Sequence, residues 1–243
     1  MDMKNMDSVI TIKACGDNFI YLFRYGDNDA FVVDPSVSEP VLQRLNADGL
    51  NLRMALITHH HWDHLGGVGD LKKKTDCEII GSDAKRISGI DRVVGDGDII
   101  KAGQYNIRLI STPGHTKTSV CYYLEPSDNN SGILWTGDTM FVGGCGRIFE
   151  CNAATMLDSL LKLADLPDDT LVYCGHDYTI ENYEFALSIE PGNPIFKQRL
   201  NDIRASRLSV PSTIGCEKES NIFLRTGRDA NVFAKLRRQK DYF

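Results

Sequence analysis

Short runs in which apolar and β-branched residues dominate or alternate recur through the first two-thirds of the chain. They are Val9 to Lys13, Phe19 to Tyr25, Ala30 to Val33, Arg53 to Ile57, Glu78 to Ile80, Tyr105 to Ser111, Ser119 to Leu124, Gly132 to Trp135 and Thr170 to Tyr173. Glycine and Asn/Asp turns separate most of them, which predicts strands. Two stretches have helical spacing instead: Glu39 to Asn46, and Ala153 to Ala164 with Met156, Leu157, Leu160, Leu161 and Leu163 along one side. Strands and helices interleaved in this way predict a layered α/β domain. After about residue 178 the pattern turns helical. Glu181 to Glu190 reads as helix, Pro191-Gly192 breaks it, Asn193-Pro194 supplies an N-cap and a first-turn proline for a helix to about Leu208, and a further helix begins at Asp229.

Composition narrows the class. Of 243 residues, 42% are hydrophobic and 25% charged, with a mean hydropathy of −0.24, as in a soluble globular chain. No apolar run approaches the roughly 18 residues of a membrane span, and Met1 to Ile12 carries Asp2 and Asp7 without an apolar core of signal-peptide length. A cytoplasmic protein without a membrane partner is expected. The seven cysteines are odd in number, scattered and free of any Cys-x-x-Cys pair, so they read as reduced thiols. The net charge of −6 hides an asymmetry: from Arg225 onward the balance is +4, leaving −10 for the rest. An acidic body argues against nucleic acid as a partner. The basic tail is either a solvated helix face or a receiver for a small anion.

Four of the six histidines lie between positions 59 and 64. The apolar Met54 to Ile57 leads straight into Thr58-His-His-His-Trp-Asp-His64, a strand end delivering ligands into a loop. With an extended backbone His59 and His61 project to one side and His60 to the other. Asp63 and His64 follow where the chain turns into a helix. Imidazole and carboxylate suit zinc, iron or manganese, and the lack of nearby cysteine ligands argues against a structural zinc site. His115 in Thr112-Pro-Gly-His, Asp138 in Thr136-Gly-Asp and His176 in Cys174-Gly-His each fall just beyond another apolar strand, where strand ends of one sheet can gather at a common rim. These three can supply a second metal. A Gly-x-Ser-x-Gly elbow, a Walker loop and a Gly-x-Gly-x-x-Gly turn are all missing. Gly143, Gly144 and Gly146 accordingly read as shaping a loop.

Thr-His-x-His-x-Asp-His with the downstream His115, Asp138 and His176 resembles the metallo-β-lactamase superfamily. The resemblance implies an α/β fold, an αββα sandwich with a dinuclear site. His59, His61 and His115 would hold one metal, Asp63, His64 and His176 the other, with Asp138 bridging and Asp34 in Val33-Asp-Pro35 in support. The segments Gly137 to Glu150, Tyr173 to Thr179, Glu190 to Asn193, Val210 to Thr213 and the terminal Leu236 to Phe243 resemble glyoxalase II, the hydroxyacylglutathione hydrolases. That resemblance covers essentially the whole chain. It implies a dinuclear metal domain over residues 1–176 and a small α-helical, glutathione-binding domain over 177–243. Arg147, Phe149, Tyr178, Arg237 and Lys240 match the residues that hold glutathione. Where the family often carries lysine and tyrosine, Arg147 keeps the charge while Phe149 lacks the hydroxyl. Cys151-Asn152 replaces the usual Gly-Thr, a change that residue chemistry alone does not explain.

The implied reaction is hydrolysis of S-D-lactoylglutathione, a small-molecule glutathione thioester, to D-lactate and glutathione, the second step of methylglyoxal detoxification. Two divalent ions, two carboxylates and a hydroxide bridging the metals leave about one positive charge for a developing oxyanion. Asp63 and Asp138 would be the catalytic carboxylates, orienting that hydroxide. A thiolate leaving group with a pKa of about 8.5 needs no separate general acid. Zinc heads the candidate ions, and a monomer is expected. The alternatives are another chemistry of the superfamily, such as a persulfide dioxygenase, a β-lactamase or a phosphodiesterase, and a non-catalytic scaffold. The intact ligand set argues against the scaffold, and the terminal helical motifs against the dioxygenase and phosphodiesterase.

Overall fold

The apolar runs of the N-terminal half become a sheet whose inner strands are buried on both faces. A computed structural model describes residues 9–127, 130–206 and 209–243. Asp2, Asp7 and the anticipated helix end at Leu208 lie outside the described residues. The chain forms two compact units, Met1–Ile110 and Ser111–Phe243.

In the first unit β1 (Val9–Ala14), β2 (Asn18–Tyr25), β3 (Asp29–Val33), then after α1 (Glu39–Asp48) β4 (Asn51–Leu56), and after α2 (Trp62–Leu65) and α3 (Val68–Thr75) β5 (Glu78–Gly81) and β6 (Arg92–Val93) form one sheet in that strand order. β7 (Ile99–Ala102) and β8 (Tyr105–Ser111) form an antiparallel hairpin. β3, β4 and β5 pair in parallel. Parallel strands bring their C-terminal ends to one edge, which is where ligands gather in such sheets. The N–H of Asp34 accordingly donates to the carbonyl of Leu56 at 3.1 Å, joining the turn after β3 to the end of β4. Val41 and Leu45 of α1 and Val68 and Leu71 of α3 pack with Ile20, Leu22, Val32, Ala55 and Ile79 in the core. Each such valine, leucine or isoleucine contributes about 1.5–3 kcal/mol by leaving water.

In the second unit β9 (Val120–Leu124) pairs antiparallel with β10 (Ile133–Gly137), and β11 (Met140–Phe141) with β12 (Gly144–Cys145). After α4 (Ala153–Ala164), β13 (Leu171–Cys174) lies parallel to β10. α4 spans the residues that its periodicity predicts. Its N-cap is Asn152, whose Oδ1 accepts from the N–H of Thr155 at 2.9 Å. Asparagine caps at least as well as threonine, which accounts for the Asn152 departure. α5 (Thr179–Ile189), α6 (Pro194–Ser206), β14 (Ser212–Thr213), α7 (Ile214–Ser220), a 3-10 turn (Leu224–Thr226) and α8 (Ala230–Asp241) complete the unit, with β14 on the edge of β13. An aromatic chain ties the helices: Tyr183 to Phe196 at 6.4 Å, Phe185 to Phe223 at 6.1 Å and Phe223 to Phe233 at 5.6 Å between ring centroids. Asn193 caps α6 as anticipated, and Asp229, where the sequence places the start of the last helix, is the N-cap of α8. The cysteines are all free thiols. Among the described residues no helix is long and apolar enough to cross a membrane.

Candidate metal centre

Two clusters of donors stand at strand ends, one in each unit. In the first, β4 runs into Thr58-His59, and the backbone is extended at His61 before α2 begins. The ring of His59 lies 4.7 Å from that of His61 and 4.2 Å from that of His64. His60 keeps its ring 4.9 Å from that of His61 and meets Arg86, whose Nη1 is 3.3 Å from its Nε2; Asp83 in turn holds the Arg86 Nε at 2.5 Å.

Asp34 organises this cluster. Its backbone is left-handed, φ +49, a conformation that aspartate tolerates better than most residues. Its Oδ1 accepts from the Thr58 N–H at 2.8 Å, and its Oδ2 from the Thr58 hydroxyl at 2.6 Å and from His64 Nδ1 at 2.9 Å. Because the Thr58 hydroxyl gives its proton to Asp34, it accepts from His59 Nδ1 at 3.0 Å. Both imidazoles therefore carry their proton on Nδ1 and present the lone pair of Nε2, the arrangement of metal-ligating histidines. Asp34 is close enough to His59 and His64 to count geometrically as a donor. With its oxygens committed to three hydrogen bonds, it supports the ligands instead. Asn18, which no sequence motif marks, donates from Nδ2 to the Asp63 main-chain oxygen at 3.0 Å and to Asp63 Oδ2 at 3.3 Å.

The second cluster arises because β10 and β13 are parallel. The Gly175 N–H donates to the Gly137 carbonyl at 2.9 Å, so Asp138 and His176 leave adjacent strand ends. His115 joins them from the loop closed by Thr112 N–H to Ser119 O. Both His115 Nε2 and His176 Nε2 lie 3.5 Å from Asp138 Oδ2. The Nδ1 of His115 donates to the carbonyl of Arg147 at 2.8 Å, which again leaves Nε2 as the presented nitrogen. Gly146 is required here, since a Cβ would fall 1.9 Å from the Asp138 carbonyl oxygen. Burial pushes the Cys174 thiol up to about 12, so beside His176 it stays protonated and donates to the His176 carbonyl instead of acting as a thiolate ligand. The donor set, imidazole Nε2 and carboxylate oxygen, fits divalent ions such as zinc, iron or manganese.

The five residues matched to glutathione binding all belong to the second unit. Phe149 is exposed and meets the His115 ring edge-on at 5.2 Å, while Tyr178 stacks on His176 at 4.9 Å. Arg147 is half-exposed and shares Asp241 with Arg237, at 3.2 and 3.3 Å. Arg237 and Lys240 are not on a solvated helix face: both are buried. Arg237 donates to the Cys145 carbonyl at 2.7 Å and lies over the Phe223 ring, and Lys240 pairs with Glu181 between the Phe185 and Phe243 rings.

The family model of the metallo-β-lactamase superfamily matches residues 14–176, and the chain belongs to that superfamily. The model of the hydroxyacylglutathione hydrolase C-terminus matches residues 177–243. Hydroxyacylglutathione hydrolase of Rhodospirillum rubrum is 44% identical over 96% of this chain and 97% of its own, and that of Chromohalobacter salexigens is 41% identical over 98% and 100%. Among solved structures, ETHE1 from Myxococcus xanthus superposes with a TM-score of 0.73 at 28% identity, covering 95% of this chain and 90% of its own. Within the superfamily this chain is thus one of the hydroxyacylglutathione hydrolases: a metal-dependent hydrolase with the metallo-β-lactamase fold and a C-terminal helical domain.

Proposed function

We propose that the chain hydrolyses S-D-lactoylglutathione to D-lactate and glutathione, with residues 1–176 as the catalytic domain and 177–243 as the glutathione-binding one. His59, His61 and His115 would hold one divalent ion, Asp63, His64 and His176 a second, and Asp138 both. When bound, such ions, zinc first and iron or manganese as alternatives, supply a nucleophile from water at neutral pH and stabilise negative charge on the carbonyl oxygen. Asp63 and Asp138 orient the attacking water. Arg147, Arg237 and Lys240 receive the anionic end of the tripeptide, with Phe149 and Tyr178 flanking it. For that, Asp241 and Glu181 must share or release their cations. The C–S bond breaks and glutathione leaves as its thiolate, which with a thiol pKa of about 8.5 needs no proton donor from the chain. A monomer in the cytoplasm completes the reading.

The observation that carries this proposal is the presentation of Nε2 by His59, His64 and His115, in a chain related over its whole length to hydroxyacylglutathione hydrolases. The test is turnover of S-D-lactoylglutathione against other thioesters, with metal content measured on the same preparation. Activity lost on chelation and restored by zinc, iron or manganese is the expected result; full activity in metal-free protein overturns the proposal. Oxygen uptake with glutathione persulfide in place of thioester hydrolysis would reassign it as a dioxygenase.

A further inference from the structure

We infer that Asn18 is a positioning residue for the Asp63 carboxylate and, through it, for one of the two metal sites; the inference rests on the two-metal reading above. Asn18 begins β2, directly after a tight turn in which Cys15 and Gly16 both have positive φ. It is buried, and a buried primary amide is found hydrogen-bonded. The side-chain amide bonds to one residue: the same Nδ2 meets the main-chain oxygen and Oδ2 of Asp63. The amide therefore ties the carboxylate to the backbone of its own residue and restrains both side-chain torsions of Asp63.

The oxygen it holds is the one that matters for coordination. Asp63 Oδ2 lies 3.6 Å from His64 Nε2. Two donors about 2.0–2.2 Å from one ion, separated by a tetrahedral angle, lie about 3.4 Å apart. The pair is thus close to the spacing of two ligands on one ion, and a carboxylate oxygen has a second lone pair to offer while it accepts from an amide. Each member of the pair is braced by a different strand: His64 through its Nδ1 by Asp34 at the end of β3, Asp63 by Asn18 at the start of β2. These strands are antiparallel neighbours, with Tyr21 opposite Val33. The sheet itself sets the distance between the two braces. A purely structural role, closing the turn onto the start of α2, needs only the bond to the main-chain oxygen and not the one to Oδ2.

The two roles separate in a titration of metal-free protein with cobalt(II), read by its visible absorption bands and by competition with a chelator, on wild type, Asn18→Ala and the isosteric Asn18→Asp. Uptake of two equivalents by the wild type tests the two-metal reading, and the difference between wild type and variants tests Asn18. In both variants one equivalent is expected to bind about 10–100-fold more weakly with altered bands, the size of effect seen when a ligand loses its supporting partner. The other equivalent should keep its affinity, and the melting temperature of the metal-free protein should stay near that of wild type. Unchanged affinity and bands in either variant overturn the inference. So does equal weakening of both equivalents with a fall in the metal-free melting temperature, the signature of a turn that merely loosens. If Asn18→Ala fails to fold, Asn18→Asp decides alone. A wild type that takes a single equivalent ends the two-metal reading, and the variants then decide whether Asn18 supports the remaining ion.

Discussion

The two donor clusters are held by different means. In Met1–Ile110 the imidazoles of His59 and His64 take their orientation from a side chain, Asp34, and the carboxylate of Asp63 from another, Asn18. In Ser111–Phe243 the main chain does this work. His115 donates to the carbonyl of Arg147, the loops after β10 and β13 are joined by Gly175 N–H and Gly137 O, and Gly146 lies against the Asp138 carbonyl. A side-chain brace can be removed by an isosteric substitution that leaves the backbone alone. A main-chain brace yields only to added volume. The first cluster is therefore sensitive to charge and hydrogen-bond chemistry, the second to shape.

The largest effect should come from Gly146→Ala. Its methyl cannot be accommodated against the Asp138 carbonyl without moving that loop, and a displacement of about 1 Å at a reacting site costs on the order of 100-fold. A fall of that size in kcat/KM is expected. A Gly146→Ala enzyme with wild-type kinetics would show that the second cluster does not depend on shape.

Next is Asp34→Asn, which keeps the volume and removes the charge. One side of the amide must then face the donors of Thr58 or His64, so metal affinity should fall by about 10–100-fold, measured by chelator competition. Unchanged affinity would mean that the strand-end turn alone orients these imidazoles, and the contrast between the clusters would collapse.

A smaller, differently shaped effect is expected for Arg237→Ala and Lys240→Ala, which touch neither cluster's donors. KM should rise more than kcat falls, the pattern of lost uniform binding. Steady-state kinetics with the glutathione thioester check this, and an unchanged KM in both would return α8 to a packing role, since both side chains are buried against rings.

Smallest is Glu217→Gln, which probes a buried side-chain brace in the shape-held unit. Glu217 is fully buried on α7 and accepts from the Gly143 N–H at 2.9 Å, the Ser212 hydroxyl at 2.6 Å and Asn221 Nδ2 at 3.0 Å. Burial pushes its carboxyl up. A carboxyl raised above its unfolded value of about 4.3 stabilises the fold below that pH and loses the contribution as pH rises through the folded value. Glutamine keeps an acceptor for the two N–H groups and carries no charge. Thermal melts should therefore match wild type near about pH 4 and exceed it by about a few degrees near pH 8.

Much of the fold was legible because its signals are local. The alternation over Tyr105 to Ser111 and the helical spacing over Ala153 to Ala164 coincide with β8 and α4, the Asn193 cap stands where expected, and α8 begins one residue after the expected Asp229. The two-residue strands β6, β11, β12 and β14 were not legible, since two residues carry no period and pair only because a neighbouring edge is available. α3 and α7 were missed as well: Gly69, three consecutive lysines and Gly215 obscure short helices that tertiary packing stabilises. In the site, His59, His61, His115, Asp138 and His176 were readable from strand-end placement, and Asp63 and His64 from their place where the chain turns into a helix. Asn18 was not, because a lone asparagine after a turn reads as part of the turn.

By itself the sequence determined which candidate donors this protein has and that most of them stand just beyond a strand, because residue type and short-range periodicity are properties of neighbours in the chain. Tertiary structure alone decided which nitrogen each of His59, His64 and His115 presents. It also decided that Asp34 is a brace, and that Arg237 and Lys240 are buried with counter-ions. Those outcomes depend on partners far away in the chain, 30 positions for His64 with Asp34 and 92 for Arg237 with Cys145. No local pattern encodes which distant group will arrive to fix a proton or neutralise a charge.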